Sequence, residues 1–350
     1  MIMVKKMKKE DRSLRGDGKL PVIKIEAENL AEATYKAIIS CYDYGIRVET
    51  PKHRSGMILG YDADVIIRVN NPNSEPKVFL PGIHDDARGV MQYILEVTHG
   101  IHNHWKKSEK NPEFWGYTYN ERIVDQLPFV FDRIKKDWKS KFRISGRDYQ
   151  FTTWRAGEDI IPEQEDPPCW QRGQLRFLED KEGRVVMNYI TDWRSRDLFK
   201  AWNENNIAQI ELMKLLRDKI SQDIINHPIE LGAYIDRSSS LHLYGLYFER
   251  DGLEEKIHNI RNKNYNDLSM SLNDFFEYTG FDAGPPTYLK KLIYAQLEAE
   301  FKGHGMNRPK EYLEKIGYKI EDIQYPKDWD SWPKEWNVKG DRSKLAKVNQ

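Results

Sequence analysis

Cysteine is scarce: the 350-residue chain has two, Cys41 and Cys169. Two thiols do not make a disulfide framework, so the expected setting is reducing and cytoplasmic. An excess of one charge is also missing. Lys plus Arg number 55 and Asp plus Glu number 55, for a formal net charge of zero. A protein that neutralises many phosphates along a duplex needs a cationic surplus, so no stable nucleic-acid partner is expected. No run of about 18 apolar residues occurs, which leaves no candidate for a membrane-spanning helix. The first 19 residues carry charge without an apolar core, and they read as a flexible basic arm rather than a secretory signal. What remains, 39% apolar and 31% charged residues, is the balance of a folded globular chain and not of a disordered one.

Hydrophobic spacing then divides the chain. Pro21 to Ile25 reads as a strand. Leu30, Ala33, Ala37, Ile38 and Cys41 recur at helical spacing and stop before Gly45, which places Cys41 in the core of a helix face. Strands are expected at 64–69, 149–154, 174–178 and 185–191, the last two paired across Glu179 to Gly183. Helices are expected at 87–98, 127–136 and 198–220, and late strands at 233–236 and 240–248. Strands and helices interleave without a clean boundary. The expectation is a single α/β (α+β) domain with a large mixed sheet and helices packed on it, over residues 20–324. A Trp- and Lys-rich tail, 325–350, follows it. Its Trp329, Trp332 and Trp336 read as packing anchors.

The stretch richest in chemistry is Asp166-Pro167-Pro168-Cys169-Trp170. Prolines fix φ and hold a cysteine at a loop-to-strand junction. A thiol there becomes a nucleophile if a cation lowers its pKa; otherwise it is a small hydrophobe. Arg194-Ser195-Arg196-Asp197 follows, with Asn205 and Asn206 after it, then His242-Leu243-Tyr244. Upstream stands Tyr117-Thr118-Tyr119-Asn120-Glu121-Arg122.

This ordered set resembles the thymidylate synthase family, which includes the pyrimidine nucleotide hydroxymethylases. The likeness spans roughly residues 50–250, and the Tyr119 motif looks closer to the archaeal-type branch. The resemblance implies that Cys169 adds to C6 of a dUMP-like nucleotide. It makes Arg54, Arg194 and Ser195 phosphate ligands, and gives the sugar hydroxyl to His242 and Tyr244. Asp197 would face a folate ring, and Tyr119 would order the water in the site. Methylenetetrahydrofolate is the implied co-substrate, and no metal is implied. The base falls to Asn205 by spacing from Asp197, or to Asn206 by the local Asn-Ile-Ala match; Asn205 needs no insertion inside a helix. Either asparagine suits uracil, since an amide can donate to its carbonyl and accept from its ring N–H.

The resemblance also implies a homodimer, through two adjacent arginines lent across the interface. Counting back from Trp154 gives Arg147, which fits, and Asp148, which does not. An acid there must turn away or pair with a cation. Glu96 is the best-placed candidate for a catalytic glutamate. His99, His102 and His104 form a run without an accompanying cysteine or second His pair, and neighbouring Lys106 and Lys107 disfavour a metal. Three readings stay open: methylation of dUMP to dTMP, hydroxymethylation through the same adduct, and a non-catalytic nucleotide- or RNA-binding relative.

Overall fold

Alternating burial starts the order: Ile23, Ile25 and Ala27 point inward from β1 (Val22–Ala27), while Val22, Lys24 and Glu26 point to solvent. The structure is a computed structural model that describes residues 18–52, 56–103, 116–164, 166–279, 289–291, 293 and 295. The basic arm through residue 17, Arg54, His104 and the 325–350 tail lie outside the described residues. The first helix, α1 (Leu30–Tyr44), is capped by Asn29, whose side chain accepts the Glu32 N–H at 2.9 Å. Such a cap contributes about 1 kcal/mol. Its end needs Gly45, where a Cβ would lie 2.3 Å from the Cys41 carbonyl oxygen.

A hairpin of β2 (Ile46–Lys52) and β3 (Gly56–Val69) follows, so β3 begins earlier than the sequence pattern suggests. Pro51 hides β2 from a pattern reading; a proline is tolerated because β2 pairs only with β3 among the described residues. Next come β4 (Val78–Phe79) and α2 (Ala87–His99), the latter capped by Asp86. Then α3 (Tyr119–Val124), α4 (Leu127–Lys141), β5 (Gln150–Thr152) and α5 (Ala156–Asp159) lead to a hairpin of β6 (Trp170–Glu179) and β7 (Val185–Trp193).

The short β8 (Arg196–Asp197) precedes α6 (Trp202–Lys219). This helix starts later than the expected 198. The Asp197 carboxylate accepts the Phe199 and Lys200 N–H groups at 3.0 and 3.2 Å, which holds a turn there instead. The two late strands fuse into β9 (Ile229–Leu243). Beyond Leu243 the pairing with β3 ends at Tyr61, and residues 245–248, expected as strand, join α7 (Gly245–Arg250). The described chain continues through α8 (Leu253–Arg261), β10 (Ser269–Met270) and α9 (Leu272–Thr279).

The main sheet runs β1-β3-β9-β7-β6-β5, with β2 on β3 and β8 on β9. It is mixed: β1–β3, β7–β9 and β8–β9 are parallel and the other pairs antiparallel. One face packs on α1 and α6, whose Leu30, Ile38, Ile207, Ile210 and Met213 are fully buried. The expectation of an α/β fold with a large mixed sheet and packed helices is met. Along the opposite face, Val22, Ile66 and Leu178 are exposed among the described residues.

Strand direction decides which loops meet. β6 runs against β7, and β9 and β8 run with β7. The residue before β6, the residues after β7 and the end of β9 therefore share one end of the sheet. These are Cys169, Arg194 and His242.

Candidate active site

Cys169 is half-buried at the start of β6, beside a register shift between Trp170 and Arg172 in the pairing with β7. A bulge of that kind re-aims neighbouring side chains. Its carbonyl accepts the Arg194 N–H at 2.9 Å. The Arg194 guanidinium clasps the same loop, donating from Nε to Pro168 O at 3.0 Å and from Nη2 to Pro167 O at 2.5 Å. Among the described residues Arg194 forms an ion pair with neither Asp192 nor Asp197. Asp192 takes Arg172 at 2.7 Å, and Asp197 takes the Tyr247 hydroxyl. Burial pushes the Cys169 thiol up; Arg194 and Arg196 pull it down, and Asp166 pushes it up again. In the unliganded protein burial prevails, so the thiol is protonated at rest.

Tyr119 joins from α3. Its hydroxyl accepts the Trp170 N–H at 3.3 Å, and its ring meets Trp170 and Trp193 edge-on at 5.5 and 5.8 Å. Burial, then the nearby Cys169, pushes its pKa to about 12, so it keeps its proton at neutral pH. A cavity of about 190 Å³ opens beside Tyr119 and is also lined by Glu96, His102, Tyr117 and Asp166. Cys169 does not line it; Asp166, three residues earlier, links the two. Glu96 accepts from or shares a proton with His102 Nδ1 at 2.5 Å. His102 faces Glu96, and His99 contacts Thr98. No metal-holding cluster of His, Cys, Asp and Glu occurs among the described residues.

His242 ends β9, and Tyr244 stands just beyond it with the two ring centroids 4.4 Å apart. His242 Nδ1 lies 3.3 Å from both the hydroxyl and the carbonyl of Ser240. Nε2 is buried with no hydrogen-bond partner among the described residues. Burial lowers the His242 pKa against the pull of Asp197 and Asp62, so the ring is neutral at neutral pH. A carbonyl at Nδ1 fixes the proton there and leaves Nε2 an acceptor without a donor.

The asparagines differ in environment. Asn206 is fully buried; its Nδ2 donates to Trp202 O at 2.8 Å and its Oδ1 accepts the Tyr234 hydroxyl at 2.6 Å. Asn205 is half-buried, and its Oδ1 accepts from Arg196 Nε at 3.4 Å. Ser195 is half-buried beside Arg194. Arg147 is exposed on the loop before β5, and its carbonyl accepts from Gln174 at 2.7 Å. Asp148 pairs with Arg133, which supplies the cation an acid at that position needs.

Two polar residues near the site escaped sequence reasoning. Arg196 lies beneath it, ion-paired to Asp236 at 2.5 Å. Glu204 accepts the N–H groups of His84 and Asp85 at 2.5 and 2.8 Å, and burial lifts its pKa to about 7. The place of Arg196 between Ser195 and Asp197 in the motif hints at it; nothing local in the sequence marks Glu204.

No family model matches the chain, and no curated protein matches it. Among solved structures the chain is similar to a thermostable thymidylate synthase A from Bacillus subtilis, with a TM-score of 0.47 and 16% identity. That likeness covers 70% of this chain and 93% of the other. A likeness of that size carries nothing about activity.

Proposed function

We propose that the chain is a folate-dependent enzyme that transfers a one-carbon unit to C5 of dUMP, through a covalent bond between Cys169 and the base. The observation that carries this reading is the meeting of half-buried Cys169, the Arg194 clasp and neutral His242 at one end of the sheet. A thiol, a guanidinium and an imidazole with an unfilled acceptor form a site with open valences. Arg194, with Ser195 and Arg54, binds the phosphate, and charge-assisted bonds of that type hold a dianion well. His242 Nε2 accepts the sugar hydroxyl, which fills the empty acceptor, and Tyr244 stands beside it. Asn205 meets the base, because Asn206 spends both ends of its amide inside the core.

The Cys169 proton leaves first, to water beside Tyr119, and the cations Arg194 and Arg196 favour that loss. Sulfur then bonds to C6, and C5 becomes the nucleophile. Methylenetetrahydrofolate, when bound, supplies the one-carbon unit and, for methylation, the hydride. Tyr117 and Tyr119 offer its ring system flat apolar walls in the cavity, and Asp197, outside that lining, keeps acceptor capacity beyond its bonds to the turn and Tyr247. Tyr119 holds the Trp170 N–H and orders water near the sulfur. Glu96 serves as the proton-handling carboxylate at the cavity wall. Loss of the C5 proton is matched by cleavage of the one-carbon unit's bond to the folate nitrogen, and addition of hydride or water to the exocyclic carbon then expels the thiolate from C6 and completes the cycle.

Methylation to dTMP is the first reading, and hydroxymethylation with water in place of hydride is the second. Incubation with dUMP and methylenetetrahydrofolate separates them by product mass. The expected products are dTMP and dihydrofolate. A 5-hydroxymethyl product without dihydrofolate replaces the first reading by the second, and no product with reversible nucleotide binding favours a non-catalytic binder. We further propose a homodimer, supported by the open sheet face with Val22, Ile66 and Leu178 and by exposed Arg147. Mixing Arg147→Ala chains with Cys169→Ala chains is expected to restore activity that neither has alone. No restoration removes the shared site.

A further inference from the structure

Arg196 is a tightly constrained charged side chain near the site. It stacks on Trp193, with its guanidinium carbon 3.6 Å from the ring centroid. Its Nη1 is tied to Asp236 at 2.5 Å, and the side chain is 2% exposed. Asp236 is fixed in turn by Trp202 Nε1 at 2.9 Å and the Ser238 hydroxyl at 3.1 Å. The guanidinium therefore cannot rotate without breaking a buried ion pair. Its Nε donates to Asn205 Oδ1 at 3.4 Å, a long but directed contact.

We propose that Arg196 is a positioning residue that fixes the Asn205 amide with Oδ1 toward the guanidinium and Nδ2 toward the ligand, and so makes the site specific for a pyrimidine with a carbonyl at C4. This rests on the reading that the site takes a pyrimidine nucleotide. Arginine has donors only. A flipped amide would set NH2 against guanidinium N–H, donor against donor, in a buried place where an unpaired donor is costly. Nδ2, left without a partner among the described residues, presents a donor to the base. A C4 carbonyl accepts it, and the second lone pair of Oδ1 takes the N3–H. A C4 amino group meets a donor with a donor, so cytosine is rejected by repulsion as well as by lost binding. Selectivity thus comes from the layer beneath the asparagine, not from the asparagine alone.

The test is equilibrium binding of dUMP and of dCMP to the full chain and its variants at neutral pH. The unaltered chain is expected to prefer dUMP by at least about tenfold. Arg196→Lys keeps a cation for Asp236 and removes the Nε that holds Asn205. That variant is expected to lose most of the preference, with dCMP affinity rising in absolute terms because the amide can now flip. A purely structural role would lower both affinities together, and an unchanged ratio or a parallel loss overturns the proposal. Asn205→Asp serves if Arg196→Lys fails to fold. With Arg196 beside it, the introduced carboxylate stays ionised and is expected to bind dCMP no better than the unaltered chain does. A gain of about tenfold for dCMP in Asn205→Asp overturns the proposal. An unaltered chain that binds neither nucleotide sinks the functional reading and this inference together. A dUMP preference that survives Arg196→Lys sinks only the inference.

Discussion

The rim of the site and the layer directly beneath it are built from similar residue types but are satisfied very differently. Below, the Asp236 carboxylate takes Arg196, Trp202, Ser238 and Thr191, and Asn206 spends its amide on Trp202 and Tyr234. Above, Cys169 is half-buried and protonated, His242 Nε2 has no partner among the described residues, and Asn205 uses one end of its amide. The lower layer is the more fully bonded of the two, although Arg196 Nη2 has no partner among the described residues, and a buried network of that kind is rigid. The contrast separates scaffold from site even though both lie within a few residues of each other in sequence.

Substitution sharpens that contrast. Asp236→Ala strands the Arg196 guanidinium in the interior and is expected to cost about 3–5 kcal/mol. Cys169→Ala removes a half-buried thiol and is expected to cost under about 1 kcal/mol while abolishing turnover. Denaturant unfolding with a turnover assay checks both. Equal stability losses in the two variants would erase the distinction between the layers.

Legibility in the sequence follows the same division. Helix α1 was readable because its apolar spacing ends at Gly45, and the β6–β7 hairpin because alternating runs flank a charged turn. The Cys169 loop, Arg194 and the His242–Tyr244 pair were readable as motifs, and the strand directions bring them to one end of the sheet. Strand β2 was not, because Pro51 breaks its pattern and only its place at the side of β3 excuses it. The start of α6 is not legible either, because Asp197 spends itself on a turn, a side-chain bond that apolar spacing does not encode. Arg196 and Glu204 look like surface charges in sequence. Their burial is a tertiary fact, set by the packing of α6 against the sheet.

Glu204 gives a smaller effect with a definite sign. Burial raises its carboxyl from 4.5 to about 7 in the folded protein. The folded state therefore holds a proton that the unfolded state releases between those values. Its contribution to stability is full below the unfolded value and is lost as pH rises through about 7, by no more than about 3 kcal/mol. Unfolding free energies measured from pH 4.5 to 8 are expected to decline through this window, and Glu204→Gln is expected to flatten that decline. A variant with the same slope as the unaltered chain would place the proton elsewhere.

Intact-mass spectrometry with 5-fluoro-dUMP and methylenetetrahydrofolate addresses Cys169 directly, because fluorine at C5 blocks the proton loss that would release the sulfur. The expected result is a stable ternary adduct whose added mass maps by peptide digestion to Cys169 and is absent from Cys169→Ala. A chain that keeps its unmodified mass under these conditions, or carries the adduct elsewhere, would contradict the assignment of that thiol as the nucleophile.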